Sequence, residues 1–358
     1  MHQFTSKQEF CHWLNQFEHW TLAPEWAQVH GMVSVQADGT FAIQLPFASD
    51  DVRLALADWI VQQQQNGQVP AFSFSISQQV KALQTQVAQK VRGVKNIIAV
   101  TSAKGGVGKS TTAVNLALAI AAQGAKVGLL DADIYGPSLP IMLGTVDKKP
   151  EVRDGKWMQP VLAHGLYTNS IGYLVDKEEA AIWRGPMASK ALSQLLNETE
   201  WPELDYLVMD MPPGTGDIQL TLSQQIPVTT SVIVTTPQDL ALADAKKGAA
   251  MFQKVSVPVA GIVENMSYHI CSQCGAKEHI FGHGGAEQMA QTFGLSLLAQ
   301  VPLHISVRED LDRGLPTVLA RPDSEHGQIY HQLAQRICST MYWRGKVEAE
   351  TILFTRVE

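Results

Sequence analysis

The sequence predicts an α/β fold, a mostly parallel sheet with helices on both faces, preceded by a small α+β domain. Three observations carry this. Short apolar runs at 97–100, 126–130, 206–209, 232–236 and 259–263 alternate with amphipathic stretches, the βαβ pattern of a buried parallel sheet. The run at 97–100 breaks into a glycine-rich loop and then a long alanine-rich apolar segment that stops at Gly124, so strand, loop and helix follow one another directly. Residues 1–76 keep a different order, helix, hairpin, helix, strand, which suits a compact α+β unit.

In chain order, 4–17 reads as a helix. Segments 32–35 and 41–45 flank Asp38-Gly39, a hairpin signal. Residues 51–65 read as a helix with Val52, Leu56, Trp59 and Ile60 on one side and Ser49 or Asp50 as its cap. Phe72, Phe74 and Ile76 alternate with serines, as in a strand. His12, His19 and His30 are scattered and suggest no ligand set. Val80, Leu83, Val87 and Val91 recur at helical spacing and predict a connecting helix over 77–92, closed by Gly93. The expected domains are therefore 1–76, a connecting segment 77–95, the main domain 96–342 and a tail 343–358 with no evident task. Within the main domain, helices are expected at 188–196, 240–255 and 286–293, a last strand at 297–301 and a closing helix at 324–342. Between 139 and 187 the alternation lapses. A hairpin of 156–162 with 166–171 is expected there, near the nucleotide face or a subunit interface, and 182–187 should lead into the next helix.

The chain has 358 residues, 45% hydrophobic and 17% charged, as in ordinary soluble proteins. A net charge of −7 argues against nucleic acid as the main partner. No apolar run is long enough to span a bilayer, so no membrane partner is expected, and the N-terminus lacks the pattern of a signal peptide. Four cysteines make no disulfide framework, which points to a cytoplasmic setting with reduced thiols.

The chemistry concentrates in the loop Ala103, Lys104, Gly105, Gly106, Val107, Gly108, Lys109, Ser110, Thr111. Glycines let a backbone wrap a phosphate without Cβ clashes, and the N–H groups and helix N-terminus then face the anion. Lys109 can reach the β/γ-phosphates of ATP and Ser110 can join a Mg²⁺ shell. Ala103 stands where the strict G-x-x-x-x-G-K-[ST] pattern has glycine. Asp210, at a strand end before Pro212-Pro213-Gly214, suits a Mg²⁺-holding role, and Asp131 or Asp133, two apart after another strand, could polarise the attacking water. Lys104 is a second lysine in a loop already served by Lys109. It would be most useful as a finger supplied in trans, which implies a homodimer.

Cys271 and Cys274 form a C-x-x-C, suited to an iron–sulfur cluster or Zn²⁺. Two ligands are half a site. A two-fold dimer would supply four thiolates for one bridging cluster; intrachain zinc completed by His279 and His283, or a redox dithiol, are the other readings. Cys11 and Cys338 read as packing residues.

The run from Lys104 to Thr111 resembles the deviant Walker A motif of the MinD/ParA/arsenite-pump ATPases, P-loop NTPases. That resemblance implies that Lys104 reaches across a nucleotide-sandwich dimer, Asp133 lies in switch I, residues 210–217 form switch II and Asn265 contacts the base. Together with Asp133 to Ser138, Trp183 to Met187 and the cysteine pair, residues 93–340 are similar to the Mrp/ApbC family. The family implies a homodimeric ATPase carrying a labile 4Fe–4S cluster from cluster assembly scaffold proteins to apo iron–sulfur proteins. The acidic-proline and cysteine motifs associated with the family's preceding small domain are not evident in 1–76. A MinD/ParA-like positioning switch without a cluster is the alternative. It should show a basic amphipathic C-terminal helix or a basic DNA-binding face, whereas the tail is short and acidic. A small-metabolite kinase would need an acceptor site that the sequence does not offer.

Overall fold

The computed structural model describes residues 4, 6–175, 185–214, 224–238, 257–271 and 273–349. The expected helix at 240–255, Trp183 and Arg184, residues 215–217 of the 210–217 turn and the tail from 350 onward lie outside the described residues.

In the N-terminal unit, α1 (Lys7–Leu14) and α2 (Asp50–Gln65) cover a three-stranded sheet of β1 (Val33–Val35), β2 (Phe41–Leu45) and β3 (Phe74–Gln78). β1 and β2 are antiparallel across the Asp38-Gly39 turn, where Asp38 Oδ1 accepts the Thr40 N–H at 2.9 Å. The α2 amides begin after Ser49, but the Ser49 hydroxyl donates to the Phe47 carbonyl and caps nothing. Phe10, Trp13, Leu14, Trp26, Ile43, Leu45, Leu56 and Ile60 form a core of their own.

The main sheet holds β4 (Val94–Thr101), β5 (Val127–Asp131), β8 (Val161–Ala163), β9 (Leu166–Ser170), β10 (Leu204–Asp210), β11 (Thr230–Thr235), β12 (Val259–Ile270), β13 (Lys277–Glu278) and β14 (Leu297–Leu303). Its order is β13-β12-β11-β4-β10-β5-β9-β8, with β14 also pairing β12. All pairings are parallel except β8 with β9 and β12 with β13. A separate two-stranded ribbon joins β6 (Val152–Arg153) to β7 (Trp157–Met158).

Successive residues of a strand face opposite ways. Ile98, Val100, Leu129 and Val208 therefore join one buried layer, under α3 (Lys109–Ala122) and α9 (Glu325–Arg344). Ile97, Ala99, Leu130, Leu207 and Met209 join the other, under α5 (Gly185–Asn197). Helices thus cover both faces, as the sequence predicts. Four more helices complete the described set: α4 (Leu139–Met142), α6 (Gly285–Phe293), α7 (Ile305–Asp312) and α8 (Thr317–Ala320).

Three expectations need correction. Residues 79–93 form no helix but cross the surface as an extended segment. Val80, Leu83 and Val91 are buried, as their spacing suggests, yet the backbone finds better partners elsewhere. The Leu83 N–H donates to Asn96 Oδ1 at 3.1 Å and the Gln84 N–H to the Lys346 carbonyl at 2.8 Å. The Gln, Lys and Ala of this segment favour helix, but propensity is a weak preference, ~0–0.7 kcal/mol per residue, that these tertiary bonds override. The tail beyond α9 accordingly has a task. Leu83 bridges Val347, the Glu348 N–H donates to the Ala82 carbonyl at 2.9 Å, and Lys90 pairs with Glu348. Lastly, 156–162 does not act as one strand: Trp157–Met158 pairs back on β6, while β8 and β9 extend the main sheet.

The N-terminal unit is fastened to the main one along α9 and the end of α3. Trp343 Nε1 donates to the Thr21 carbonyl at 2.8 Å, the Ala48 N–H to Tyr206 Oη at 3.2 Å, and the Ser49 N–H to the Gln123 carbonyl at 3.2 Å.

Asn96 is 1% exposed, so Asn96→Ala strips a buried N–H of its acceptor. The variant should lose about 1–3 kcal/mol of stability in urea titration. An unchanged midpoint would contradict the assigned role of this side chain in holding the connecting segment.

Candidate functional site

β4, β5 and β10 are parallel, so their carboxyl ends deliver the loop after Thr101, Asp131 and Asp210 to one edge of the sheet, where ligands of such folds bind. The loop passes into α3 through Gly108, whose φ of +84° suits glycine. A Cβ at Gly108 would lie 2.0 Å from Asn265 Nδ2, so this position must stay bare. Cβ atoms at Gly105 and Gly106 would meet nothing within 4 Å, leaving that side of the loop open. An open glycine backbone at the N-terminus of a 14-residue helix fits a phosphate chain.

Lys109 is 6% exposed and lies between two carboxylates. Its Nζ is 2.5 Å from Asp210 Oδ1 and 3.8 Å from Asp133 Oδ2, with Ser110 Oγ at 3.3 Å. The structure thus gathers Ser110, Asp133 and Asp210 around the Lys109 ammonium. Lys104 is exposed, and its carbonyl accepts the Ser102 hydroxyl at 2.9 Å. Asn265 Nδ2 donates to the Val107 carbonyl at 2.9 Å, against the loop backbone.

Asp131 is separate from this group. Fully buried, it accepts the Asp133 N–H on Oδ1 at 3.1 Å, and on Oδ2 the Ser138 N–H at 3.1 Å, the Leu139 N–H at 3.2 Å and the Ser170 hydroxyl at 3.0 Å. It pins the turn that carries Asp133. Burial first, and then the Asp210 carboxylate, push its pKa up to about 7 against the pull of Lys109 and the Leu139 N–H. Burial likewise raises the Asp133 carboxyl above its ordinary value, opposed by Lys109.

A cavity of about 290 Å³ opens beside Gly108 and Thr111, walled by Asn265, Met266, Pro302, Leu303 and Leu311. Its apolar lining beside a phosphate loop suits a nucleobase. Sequence reading missed Ser170 and residues 302–311. The latter were reachable, since 302–304 follow directly on the predicted strand 297–301, at the ligand-binding edge of the sheet. Ser170 had no local signal. Met266, at φ +56°, holds a non-glycine residue in a sparse backbone region where β12 loses register with β14, and so marks the site.

The cysteine pair lies on the turn between β12 and β13. The Cys271 N–H donates to the Ala276 carbonyl at 2.9 Å and the Gly275 N–H to the Cys271 carbonyl at 2.8 Å. N–H groups of Cys274 and then Gln273, with the Cys274 thiol, hold the Cys271 thiol below its ordinary pKa, which favours the thiolate that ligates metal. Cys274 is exposed. Among the described residues no three His, Cys, Asp or Glu side chains gather to hold a metal, so the intrachain set with His279 and His283 is not assembled. Cys11 and Cys338 are buried.

Residues 93–338 match the family model described as ParA, NUBPL iron-transfer P-loop NTPase. The chain is 66% identical over 267 residues to an iron-sulfur cluster carrier protein of Escherichia coli K12, covering 75% of this chain and 72% of that one. It is 54% identical over 353 residues to the Haemophilus influenzae iron-sulfur cluster carrier protein, covering 96% and 95%. Mouse iron-sulfur cluster transfer protein NUBPL is 48% identical over 270 residues, covering 73% and 84%. Among solved structures, a nucleotide-binding protein from Archaeoglobus fulgidus in complex with ADP is 38% identical with a TM-score of 0.55, covering 62% of this chain and 87% of that one. The MinD cell-division ATPase of Pyrococcus furiosus, 23% identical at a TM-score of 0.51 over 68% of this chain and 98% of that one, shares the fold.

The raised Asp131 pKa has a signed consequence. A carboxyl whose folded pKa lies above its unfolded value contributes stability below about pH 4, and that contribution is lost as pH rises through about 7. Asp131→Asn should therefore flatten the pH dependence of unfolding free energy between pH 4 and 7, on top of a constant offset for the lost acceptor. Parallel wild-type and variant curves over that range would show that Asp131 does not titrate there.

Proposed function

The chain belongs to the ParA/NUBPL iron-transfer P-loop NTPases, and on that premise we propose that it is an ATP-hydrolysing carrier which binds an iron–sulfur cluster at a homodimer interface and delivers it to apo-proteins. One observation carries the proposal. β12 holds Asn265 against the phosphate loop at Val107 and runs on, through the irregular position at Met266, to the cysteine turn. Five residues, 266–270, separate Asn265 from Cys271, so the two lie at most about 20 Å apart at strand rise. A nucleotide that moves the loop therefore acts on the strand from which the cluster ligands hang.

The residues take these parts. The backbone N–H groups of 105–110 and the α3 N-terminus cradle the phosphates, and Lys109 neutralises the β/γ oxygens. Ser110 and Asp210 are the oxygen donors suited to Mg²⁺, which supplies charge neutralisation on the transferred phosphoryl group when bound. Asp133 orients the attacking water, held in place by Asp131. The cavity beside Asn265 takes the base. Lys104, exposed on the loop, reaches the other subunit's nucleotide. The cluster is cargo: Cys271 and Cys274 bind it from each subunit, on a turn open enough to let it leave. Cluster assembly scaffolds supply it.

The positioning-switch alternative has less support. It calls for a free amphipathic C-terminal helix or a basic DNA-binding face, whereas α9, the last helix among the described residues, buries Tyr330, Leu333, Ala334 and Ile337 against the sheet core.

Under anaerobic reconstitution the parent chain should take up iron and sulfide, and Cys271→Ser/Cys274→Ser should lose both while retaining nucleotide binding. Equal uptake by that variant would end the proposal in this form. Lys104→Ala should lower kcat for ATP by about 10²–10³-fold, the scale of removing one preorganised transition-state donor. An unchanged kcat would remove Lys104 from the reaction.

A further inference from the structure

The segment after the cysteine turn carries two histidines four residues apart, His279 and His283. The cluster site proposed above, two cysteines from each subunit, does not use them. Their ring centroids are 5.7 Å apart with planes at 52°, so they are neighbours but not a stacked pair. We propose that His279 and His283 form a second metal site, distinct from the cysteines, that binds one borderline divalent cation of the Zn²⁺, Ni²⁺ or Cu²⁺ class through two imidazole nitrogens.

Spacing, tautomer and charge support this. Metal–nitrogen bonds of about 2.0–2.1 Å place the centroids of two imidazoles on one tetrahedral ion about 5.2 Å apart. The observed 5.7 Å is within a small side-chain adjustment of that. His279 Nδ1 lies 3.1 Å from the Ser267 carbonyl oxygen. A carbonyl only accepts, so Nδ1 carries the proton and Nε2 keeps its lone pair. A ligating histidine commonly shows this arrangement, with the second nitrogen tied to a backbone carbonyl. The chain between the rings is built to return on itself. The Gly282 N–H donates to the His279 carbonyl at 3.3 Å, and Gly282 and Gly284, at φ +92° and +74°, flank His283.

Both histidines are exposed, so an ion can reach them and water can fill its remaining positions. The positive end of α6 lies beside His283, with Glu287 in the first turn to offset it. The nearest basic residue along the chain, Lys277, is taken up by Glu325 at 2.7 Å. Two imidazoles without thiolate select borderline ions over Mg²⁺ or Ca²⁺.

The test uses the full chain with Cys271→Ser/Cys274→Ser, so that the thiols neither bind nor reduce the probe, which is Cu²⁺. Titration followed by electron paramagnetic resonance should show one tight Cu²⁺ per chain with superhyperfine splitting from two nitrogens. His279→Ala and His283→Asn, made separately, should each weaken that site at least tenfold and reduce the splitting to one nitrogen. Zn²⁺ in large excess should displace the Cu²⁺ signal, and Mg²⁺ at the same excess should not. Unchanged affinity in both histidine variants would overturn the proposal. So would a tight site present in the parent chain and absent from the cysteine-substituted one, since the metal would then belong to the thiols.

Discussion

The structure turns on a buried ammonium. Lys109 and Asp210 are 6% and 2% exposed, joined at 2.5 Å, with Asp133 at 3.8 Å on the other side. Buried charges persist only when paired, and removing one partner of such a pair costs about 3–5 kcal/mol. The parallel strands β4, β5 and β10 must therefore keep a register that brings three chain segments to one point. The glycine loop, the Asp131-Ala132-Asp133 turn and the end of β10 are placed by that requirement. Two carboxylates on one ammonium would also make the arrangement responsive in the proposed function, because an anionic phosphate chain would compete with them for the same lysine. Asp131 stabilises the competition from behind, since its four accepted hydrogen bonds tie the Asp133 turn to β9.

The second organising feature is β12. At 12 residues it is the longest strand described, pairing with β11, β13 and β14. One segment touches the phosphate loop and the adjoining turn presents the thiols. Loop geometry and ligand geometry thereby become properties of one strand, and the irregular pairing with β14 around Met266 gives it a place to bend. Thiolates on an exposed turn suit transient ligation better than a permanent buried centre.

Much of this was legible in the sequence, for local reasons. The glycine loop, the strand-end aspartates and the C-x-x-C each carry their chemistry in adjacent residues, and the apolar alternation along the main strands follows from burial on two faces. What the sequence hid was tertiary. The stripe at Val80, Leu83 and Val91 is a true burial pattern, but Asn96 and residues 346–348 supply the backbone partners that a helix would otherwise provide. Ser170 gives no local hint of its bond to Asp131, because β9 meets β5 only through the sheet. The partnership of Asn265 with Val107 follows from β12 and the loop meeting at one sheet edge, 158 residues apart in the chain.

The central claim is that the phosphate loop and the cysteine turn are two halves of one dimeric device. Native mass spectrometry of the anaerobically reconstituted chain measures this directly. The account predicts a species of two chains carrying a single cluster, which falls to cluster-free monomers when both cysteines are replaced. A cluster retained on single chains would contradict it.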